Sequence, residues 1–316
     1  MSLVYTDAED AILHALGGEP AAGLSVRAII NAAGETLVNS QTWRWLEDTE
    51  AKLDLRGKIT ITGATTTSGA GTGFGATGSF ANYAFVEGDQ LEITSGTGVT
   101  AGFYRVASRT DADTIVLSTS PGASGSGIAA TLHTSAIALP ADFRDLIAYN
   151  TTSGLLKGIQ FTSHGDLLQK RAASFTTVGL HYAIIVHPIN SSSGAAPVPR
   201  MEIWPTPSSN ETGAITILYR RGWSALTSDA DLIQIPDWMH PTFFEFLRAF
   251  AHGWEESDNQ TASERVSGVM NGPIWATAVR RDASIEADLG PIINGAAGAA
   301  GYTTPFNNFS SVAAPS

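Results

Sequence analysis

The sequence predicts an α+β protein in which a mainly helical domain with a small antiparallel β meander is interrupted by an inserted all-β domain. Two observations predict this fold class. Amphipathic helix patterns occupy both ends of the chain, and the composition changes abruptly between residues 57 and 137, where nearly half of the residues are Gly, Thr or Ser and only eight are charged. Short segments of alternating or β-branched residues in that stretch are typical of strands.

The N-terminal part predicts two helices. Asp7 to Leu16 is a short candidate that stops at Gly17-Gly18, and Ser25 is the expected N-cap of a helix from Val26 to about Val38. Apolar residues at helical spacing define its buried stripe, namely Val26, Ile30, Ala33 and Leu37.

A bulky apolar cluster follows this helix at Trp43, Trp45 and Leu46. Large aromatic side chains bury much apolar area, so we expect Trp43 and Trp45 to serve core or interface packing. The alternative is that they stack against a ligand.

The segment 57–137 predicts five or more short strands separated by turn residues, with mobile loops at Gly69 to Gly78 and Ser120 to Gly127. Such spacing indicates an immunoglobulin-like sandwich or a small barrel. The candidate strands are Lys58 to Thr62, Ala84 to Val86, Gln90 to Thr94, Gly102 to Ala107 and Thr114 to Ser118.

After the insert, the pattern predicts an antiparallel meander of Tyr182 to Val186, Arg200 to Trp204 and Ala214 to Tyr219. Helices then return. Pro236 and Pro241 predict the start of a helix that ends near Glu256. Two further helices are predicted, from about Thr261 to Met270 and from Pro273 onward. The helix that ends near Glu256 has a predicted core face of Phe243, Leu247, Phe250 and Trp254.

The last 28 residues, from Leu289, carry no charged side chain. Such a segment buries little apolar surface by itself, which predicts a flexible C-terminal arm over 291–316. Its aromatic residues could bind a partner, against the alternative of a frayed tail, and they are Tyr302, Phe306 and Phe309. The predicted domains are therefore 1–56 with 138–290, the insert 57–137, and this arm.

The net charge of −12 argues against a nucleic-acid grip, because phosphate binding depends on clustered Lys and Arg. Most of the excess lies between Ser224 and Gly290, which holds eleven acidic residues and four arginines. No apolar run approaches the length that crosses a bilayer, so no membrane association is expected. The chain contains no cysteine, which excludes disulfides and thiolate chemistry.

The chemical motifs predict neither a catalytic site nor a cofactor or metal. The string Gly73-Phe74-Gly75-Ala76-Thr77-Gly78 matches a dinucleotide-binding pattern, but no helix is predicted after it and no acidic residue follows about 20 positions on. The seven histidines are scattered, without the three or four converging ligands that a metal requires.

With the insert removed, an ordered series of short motifs resembles the head-to-tail adaptor proteins of tailed bacteriophages. The series comprises Ile29-Ile30-Asn31-Ala32-Ala33-Gly34, Trp43-Arg44-Trp45-Leu46, Leu139-Pro140-Ala141-Asp142-Phe143, Met201 to Pro207, Leu218-Tyr219-Arg220-Arg221, Ile235 to Met239, and Ala249-Phe250-Ala251 with Glu255-Glu256.

The resemblance implies a structural virion protein of the neck, assembled in the host cytoplasm as a homo-oligomeric ring, commonly of twelve copies. Its implied partners are the portal protein and the tail or nozzle proteins. Genomic DNA would pass through the ring without specific binding, and the acidic helical region suits the wall of such a channel.

Two other classes of protein remain as alternatives. One is a carbohydrate-binding or adhesive surface protein, in which Trp43, Trp45 or Tyr83 would stack against sugars. The other is a hydrolase with an unrecognised carboxylate pair such as Asp89 and Glu92.

Overall fold

The structure, a computed structural model, describes residues 3–18, 25–47, 50–66, 72–156, 158–173, 180–188, 198–255 and 259–284, with the backbone alone at 254–255 and 259–262. The chain divides into two compact units. We call Met1–Glu47 together with Gly222–Ser316 the helical unit, and Asp48–Arg221 the β unit. Both boundaries lie outside the predicted insert, so the inserted β unit is larger than 57–137.

Strands and helices are numbered separately in chain order. The strands are β1 (Leu3–Val4), β2 (Glu50–Leu55), β3 (Ile59–Thr66), β4 (Gly73–Gly75), β5 (Gln90–Thr97), β6 (Gly102–Arg109), β7 (Thr114–Leu117), β8 (Ser126–His133), β9 (Ala136–Ala138), β10 (Phe143–Thr151), β11 (Gly158–Phe161), β12 (Leu180–Val186), β13 (Arg200–Trp204), β14 (Glu211–Arg221) and β15 (Leu232–Ile233). The helices are α1 (Tyr5–Ala15), α2 (Val26–Asn39), α3 (His164–Ala172), α4 (His240–Glu255), α5 (Asn259–Met270) and α6 (273–284).

The helical unit forms from the two ends of the chain. The Ser25 hydroxyl accepts a hydrogen bond from the Ala28 amide at 3.3 Å, which confirms the predicted N-cap of α2. Helix α4 is the centre of the unit, because α1, α2 and α5 all pack against it. The short strands β1 and β15 pair antiparallel beside these helices. No described helix has both the length and the apolar character needed to span a membrane.

Six strands of the β unit close into a barrel in the order β3-β4-β7-β6-β5-β8, with every neighbouring pair antiparallel. Side chains alternate between the two faces of a strand, so every second residue points inward. The interior is filled by large apolar side chains that include Phe74, Phe80, Leu91, Val106 and Leu132.

Two further sheets complete the β unit. One has the order β10-β14-β2 and is antiparallel throughout. The other has the order β11-β12-β13-β9, in which β11 and β12 are parallel and are joined through α3. A shared cluster of buried residues from both sheets contains Leu55, Ile137, Phe143, Ile203 and Ile217.

The structure contradicts the predicted fold class. Strands hold more of the described residues than helices do, so the chain is not a mainly helical domain with a β insert. The residues from 139 to 221 are the main source of the error, because they form five strands and only one helix among the described positions. Their pairing partners lie far along the chain, and local periodicity does not reveal them.

Two finer parts of that prediction are also corrected. Of the two alternatives for the insert, the small barrel is correct and the immunoglobulin-like sandwich is wrong, because β8 pairs with both β3 and β5 and completes the closed ring of six strands. The predicted three-stranded meander is also wrong. Its third strand, β14, does not join β12 and β13 but pairs with β10 and β2 in the other sheet. A strand also forms at Gly73–Gly75, inside the predicted loop, where Phe74 fills the barrel.

Candidate functional site

The two predicted tryptophans lie at a short 3₁₀ turn, Arg44–Leu46, in the helical unit. Trp43 is fully buried, its indole N–H donates to the Leu37 carbonyl at 2.7 Å, and its ring meets Trp275 edge-on at a centroid distance of 5.1 Å. Trp45 is half-buried against the same core. Trp43 therefore has no free face for a ligand.

A distant carboxylate holds this turn. Asp282 of α6 is buried, and its oxygens accept the backbone N–H groups of Arg44, at 2.9 and 3.1 Å, and of Trp45, at 3.2 Å. Charge-assisted bonds of this kind are among the stronger ones in proteins. The last described helix is thereby tied to the end of the N-terminal segment.

The predicted apolar face of α4 lies in the core of the helical unit. Phe243 and Leu247 are fully buried, and Phe250 is half-buried against the same cluster. The side chain of Trp254 lies outside the described residues, as do Tyr302, Phe306 and Phe309. Consequently, the described aromatic and aliphatic residues predicted to pack, Trp43, Trp45, Phe243, Leu247 and Phe250, all belong to one core cluster.

A groove that sequence reasoning missed lies on the surface of the helical unit, between α4, α5 and α6. It consists of two cavities of about 490 and 310 Å³ that share Pro273 and Ile274. Ile274 lies between them and is 42% exposed. We call these two cavities the Ile274 groove. The helix break at Asn271-Gly272-Pro273 was visible in the sequence, but the exposure of Ile274 was not.

The Ile274 groove has an apolar floor and a basic rim. Its apolar lining residues include Trp238, Ala249, Val269, Pro273 and Ala278. Three of the four arginines between Ser224 and Gly290 also line it, and they are Arg248, Arg265 and Arg281. The fold thus gathers the positive charge of an acidic region around one apolar surface.

A second cavity, of about 780 Å³, lies within the β unit where the barrel meets the β10-β14-β2 sheet. Its polar lining includes Lys52, Arg56, Lys58, Asn82 and Asn210. The Asn210 side chain accepts the Gly57 N–H at 2.7 Å, which fixes the chain where it enters the barrel.

The Asp89 carboxylate, beside this cavity, is fully buried and fully engaged. Both terminal nitrogens of Arg56 donate to it, at 3.0 and 3.1 Å, and the Tyr83 hydroxyl donates at 2.9 Å. The backbone N–H groups of Val86 and Ala136 complete the set. Burial raises the pKa of Asp89, while Arg56 opposes that shift. The arrangement joins the chain before the barrel, the barrel itself and the chain after it.

A buried ionic cluster holds α3 against the four-stranded sheet. Glu202 of β13 accepts from Arg171 of α3 at 3.0 Å and from Arg200 at 2.9 Å, and all three side chains are buried. Buried ions are stable only when they are paired, so this cluster is best explained as a packing element.

His133, at the end of β8, is the third buried polar centre of the β unit. Its Nε2 lies 2.9 Å from Glu92 and its Nδ1 lies 3.1 Å from the Thr206 hydroxyl. Burial lowers the pKa of His133, and Glu92 opposes this shift by favouring the protonated ring. The ring also packs against Trp204 at a centroid distance of 4.9 Å.

These contacts argue against both alternative functions, the hydrolase and the carbohydrate-binding protein. Asp89 and Glu92 are engaged by Arg56 and His133, respectively, so neither carboxylate is placed as a free acid or base. Tyr83, like Trp43, is buried and cannot present its ring to a sugar. The string Gly73 to Gly78 contributes a barrel strand and not a turn before a helix.

No group of three or more metal-ligating side chains comes together within the ranges that the structure describes. The scan against protein-family models gives no matching family. The search of curated proteins likewise gives no match. By its geometry, the candidate functional site is the Ile274 groove on the helical unit.

Proposed function

We propose that the protein is a structural virion protein, a head-to-tail adaptor subunit that forms a ring beneath the portal, joins capsid to tail and surrounds the path of the DNA. The observation that carries the proposal is that four of the seven resembling motifs pack together in the helical unit, while the other three lie in the β unit. Ile29, Ile30, Trp43, Met239 and Ala251 come from these four motifs and share one buried core. These residues therefore support a rigid assembly body.

The polar motif residues contribute to the same rigidity. The Asn31 side-chain carbonyl accepts from the Trp223 indole at 3.1 Å and from the Leu226 amide at 2.8 Å, while its amide donates to the Leu226 carbonyl at 3.2 Å. One side chain thus joins α2 to the segment where the chain returns from the β unit. A firmly closed unit of this kind suits a subunit that must hold its position in a connector.

The charge of the chain supports the same role. With a net charge of −12, a ring of these subunits would present a negative field to DNA and would let it slide without being held. The β unit, inserted at one place in the helical unit, is proposed as an accessory module that faces a neighbouring virion component. The proposal does not require a mainly helical domain.

Co-sedimentation with purified portal rings of the same virus tests the proposal. We expect the full chain to bind the portal and to add a ring of about twelve copies, the number that the resemblance implies. A chain lacking residues 290–316 should bind more weakly, because the arm would order on the portal. Absence of any association by the full chain would contradict the adaptor role. Equal binding by the shortened chain would contradict only the role of the arm.

A further inference from the structure

The Ile274 groove carries an inference about how copies of the chain contact one another. Its exposed ridge is Ile274, flanked by the two cavities, and Arg281 lies with its guanidinium 5.9 Å from the centre of the Trp238 ring. Arg248 pairs with Glu245 at 2.7 Å, and Glu245 is the single acidic residue among the described residues that line the groove. An apolar centre with a charged rim is the usual anatomy of a protein interface.

The same unit carries a surface of the opposite sign. Asp7 and Asp10 are exposed on α1, Glu9 is half-exposed beside them, and Asp229 is exposed in the loop before β15. Arg27 pairs with Asp229 at 2.5 Å and leaves the other carboxylates in excess. We call this surface, completed by Asp231, the acidic face.

Arg27 links the two parts of the acidic face, because its guanidinium lies 5.8 Å from the centre of the Tyr5 ring of α1 and pairs with Asp229. Burial raises the pKa of the Tyr5 hydroxyl, and the charges of Glu9 and Asp229 raise it further. Residues from α1 and from the loop before β15 therefore belong to one negative surface. None of these residues lines the Ile274 groove.

We propose that the Ile274 groove of one copy receives the acidic face of a second copy. The two surfaces are complementary in charge, and Ile274 supplies an apolar anchor at the centre of the contact. Because the two surfaces differ, the contact is heterologous, and each added copy leaves one groove and one acidic face available. Such a contact closes into a ring or continues as a filament. The inference rests on the proposed adaptor function and names the contact between its subunits.

Cysteine crosslinking tests this contact, because the chain contains no cysteine of its own. The double variant Thr6→Cys with Thr277→Cys leaves Ile274 and the carboxylates in place, because Thr6 is an exposed neighbour of the acidic face and Thr277 an exposed residue of the groove wall. Treated with a short flexible bismaleimide, it should give a ladder of dimers, trimers and larger species. An equal mixture of the two single variants should stop at dimers, because each copy then carries one reactive surface. A double variant that yields only monomers, or only dimers, would overturn the inference.

Two controls make the result specific. Thr119→Cys with Thr277→Cys uses an exposed position in the β unit and should give no ladder. Adding Arg265→Glu and Arg281→Glu to the crosslinking variant should reduce trimer yield by about tenfold, since like charges then face each other. Circular dichroism must show that these variants remain folded. An unchanged ladder after charge reversal, or an equal ladder from the Thr119 control, would also overturn the inference.

The crosslinking result and the portal-binding result test different statements. Portal binding without a ladder would remove the proposed contact and leave the adaptor role intact. A ladder without portal binding would leave the contact as a property of the chain and contradict its function as an adaptor.

Discussion

His133 is surrounded by groups that shift its pKa in opposite directions. Burial is the largest influence and favours the neutral ring, and the positive charges of Lys58 and Arg171 act in the same sense. The Glu92 carboxylate, 2.9 Å from Nε2, acts against them. The net effect is a pKa below that of an unfolded histidine, so protonation should favour the unfolded chain.

We therefore expect wild-type stability to fall, relative to a His133→Gln variant, as the pH drops below about 6.5. The stabilisation from the neutral ring is fully present above the unfolded pKa and is lost as the pH falls through the lower folded pKa. The difference between the two proteins should change by at most about 1.4 kcal/mol per pH unit, as required for one proton. Urea unfolding between pH 8 and pH 5 measures it.

Glu92→Gln provides the matched control for this titration, because it removes the carboxylate that favours the protonated ring. The loss of stability of that variant on acidification should extend over a wider pH range than that of the wild type. A constant difference between wild type and His133→Gln at every pH would show that His133 has the same pKa in both states and would contradict the prediction.

The contacts of some residues could be predicted from the sequence, and those of others could not. The Ser25 cap, confirmed by the structure, was visible because its partner lies three residues away. Asp282 was not visible, since the amides that it binds belong to residues 44 and 45 and only the folded chain brings them together. The exposure of Ile274 likewise depends on how three helices meet.

At the scale of elements, α2 shows how a packing contact can oppose helix propensity. Gly34 lies on the buried side of this helix, and a β-carbon placed there would lie 2.4 Å from the indole ring of Trp223. Glycine normally destabilises a helix interior by about 1 kcal/mol relative to alanine. Here the close approach of the indole requires it.

We expect Gly34→Ala to destabilise the helical unit by about 1–3 kcal/mol, the usual cost of forcing extra volume into a packed core. Gly268→Ala is the matched control. Gly268 also lies inside a helix, α5, but a β-carbon there meets no atom within 4 Å, so its replacement should stabilise by up to about 1 kcal/mol. Chemical unfolding of the two variants measures both changes. Equal effects of the same sign would contradict the role of Trp223.

Helices were predicted from the sequence more accurately than strands. Their apolar spacing, caps and proline breaks are local signals, and α1, α2, α4 and α5 lie close to their predicted positions. The pairing of the strands could not be predicted from the sequence. Strand β14 pairs with β2, which lies more than 150 residues away, and no local pattern selects that partner over β13.

At the scale of the whole molecule, the change in composition near residue 57 marks the start of the barrel and not the boundary of a unit. The β unit begins at Asp48 and continues to Arg221, because β2 and β14 form one sheet on either side of the barrel sequence. The boundary at Asp48 follows from the pairing of β2 with the distant strand β14, and no change in amino-acid composition marks it. The helical unit accordingly comprises residues 1–47 and 222–316.

The proposed position of the protein in the neck of a virion is tested most directly by electron microscopy of the particles that carry it. Antibody fragments raised against the chain, bound to purified particles, should label a ring at the junction of head and tail, beneath the portal. Label on distal fibres or spread over the capsid would contradict the adaptor function and favour an adhesive surface protein.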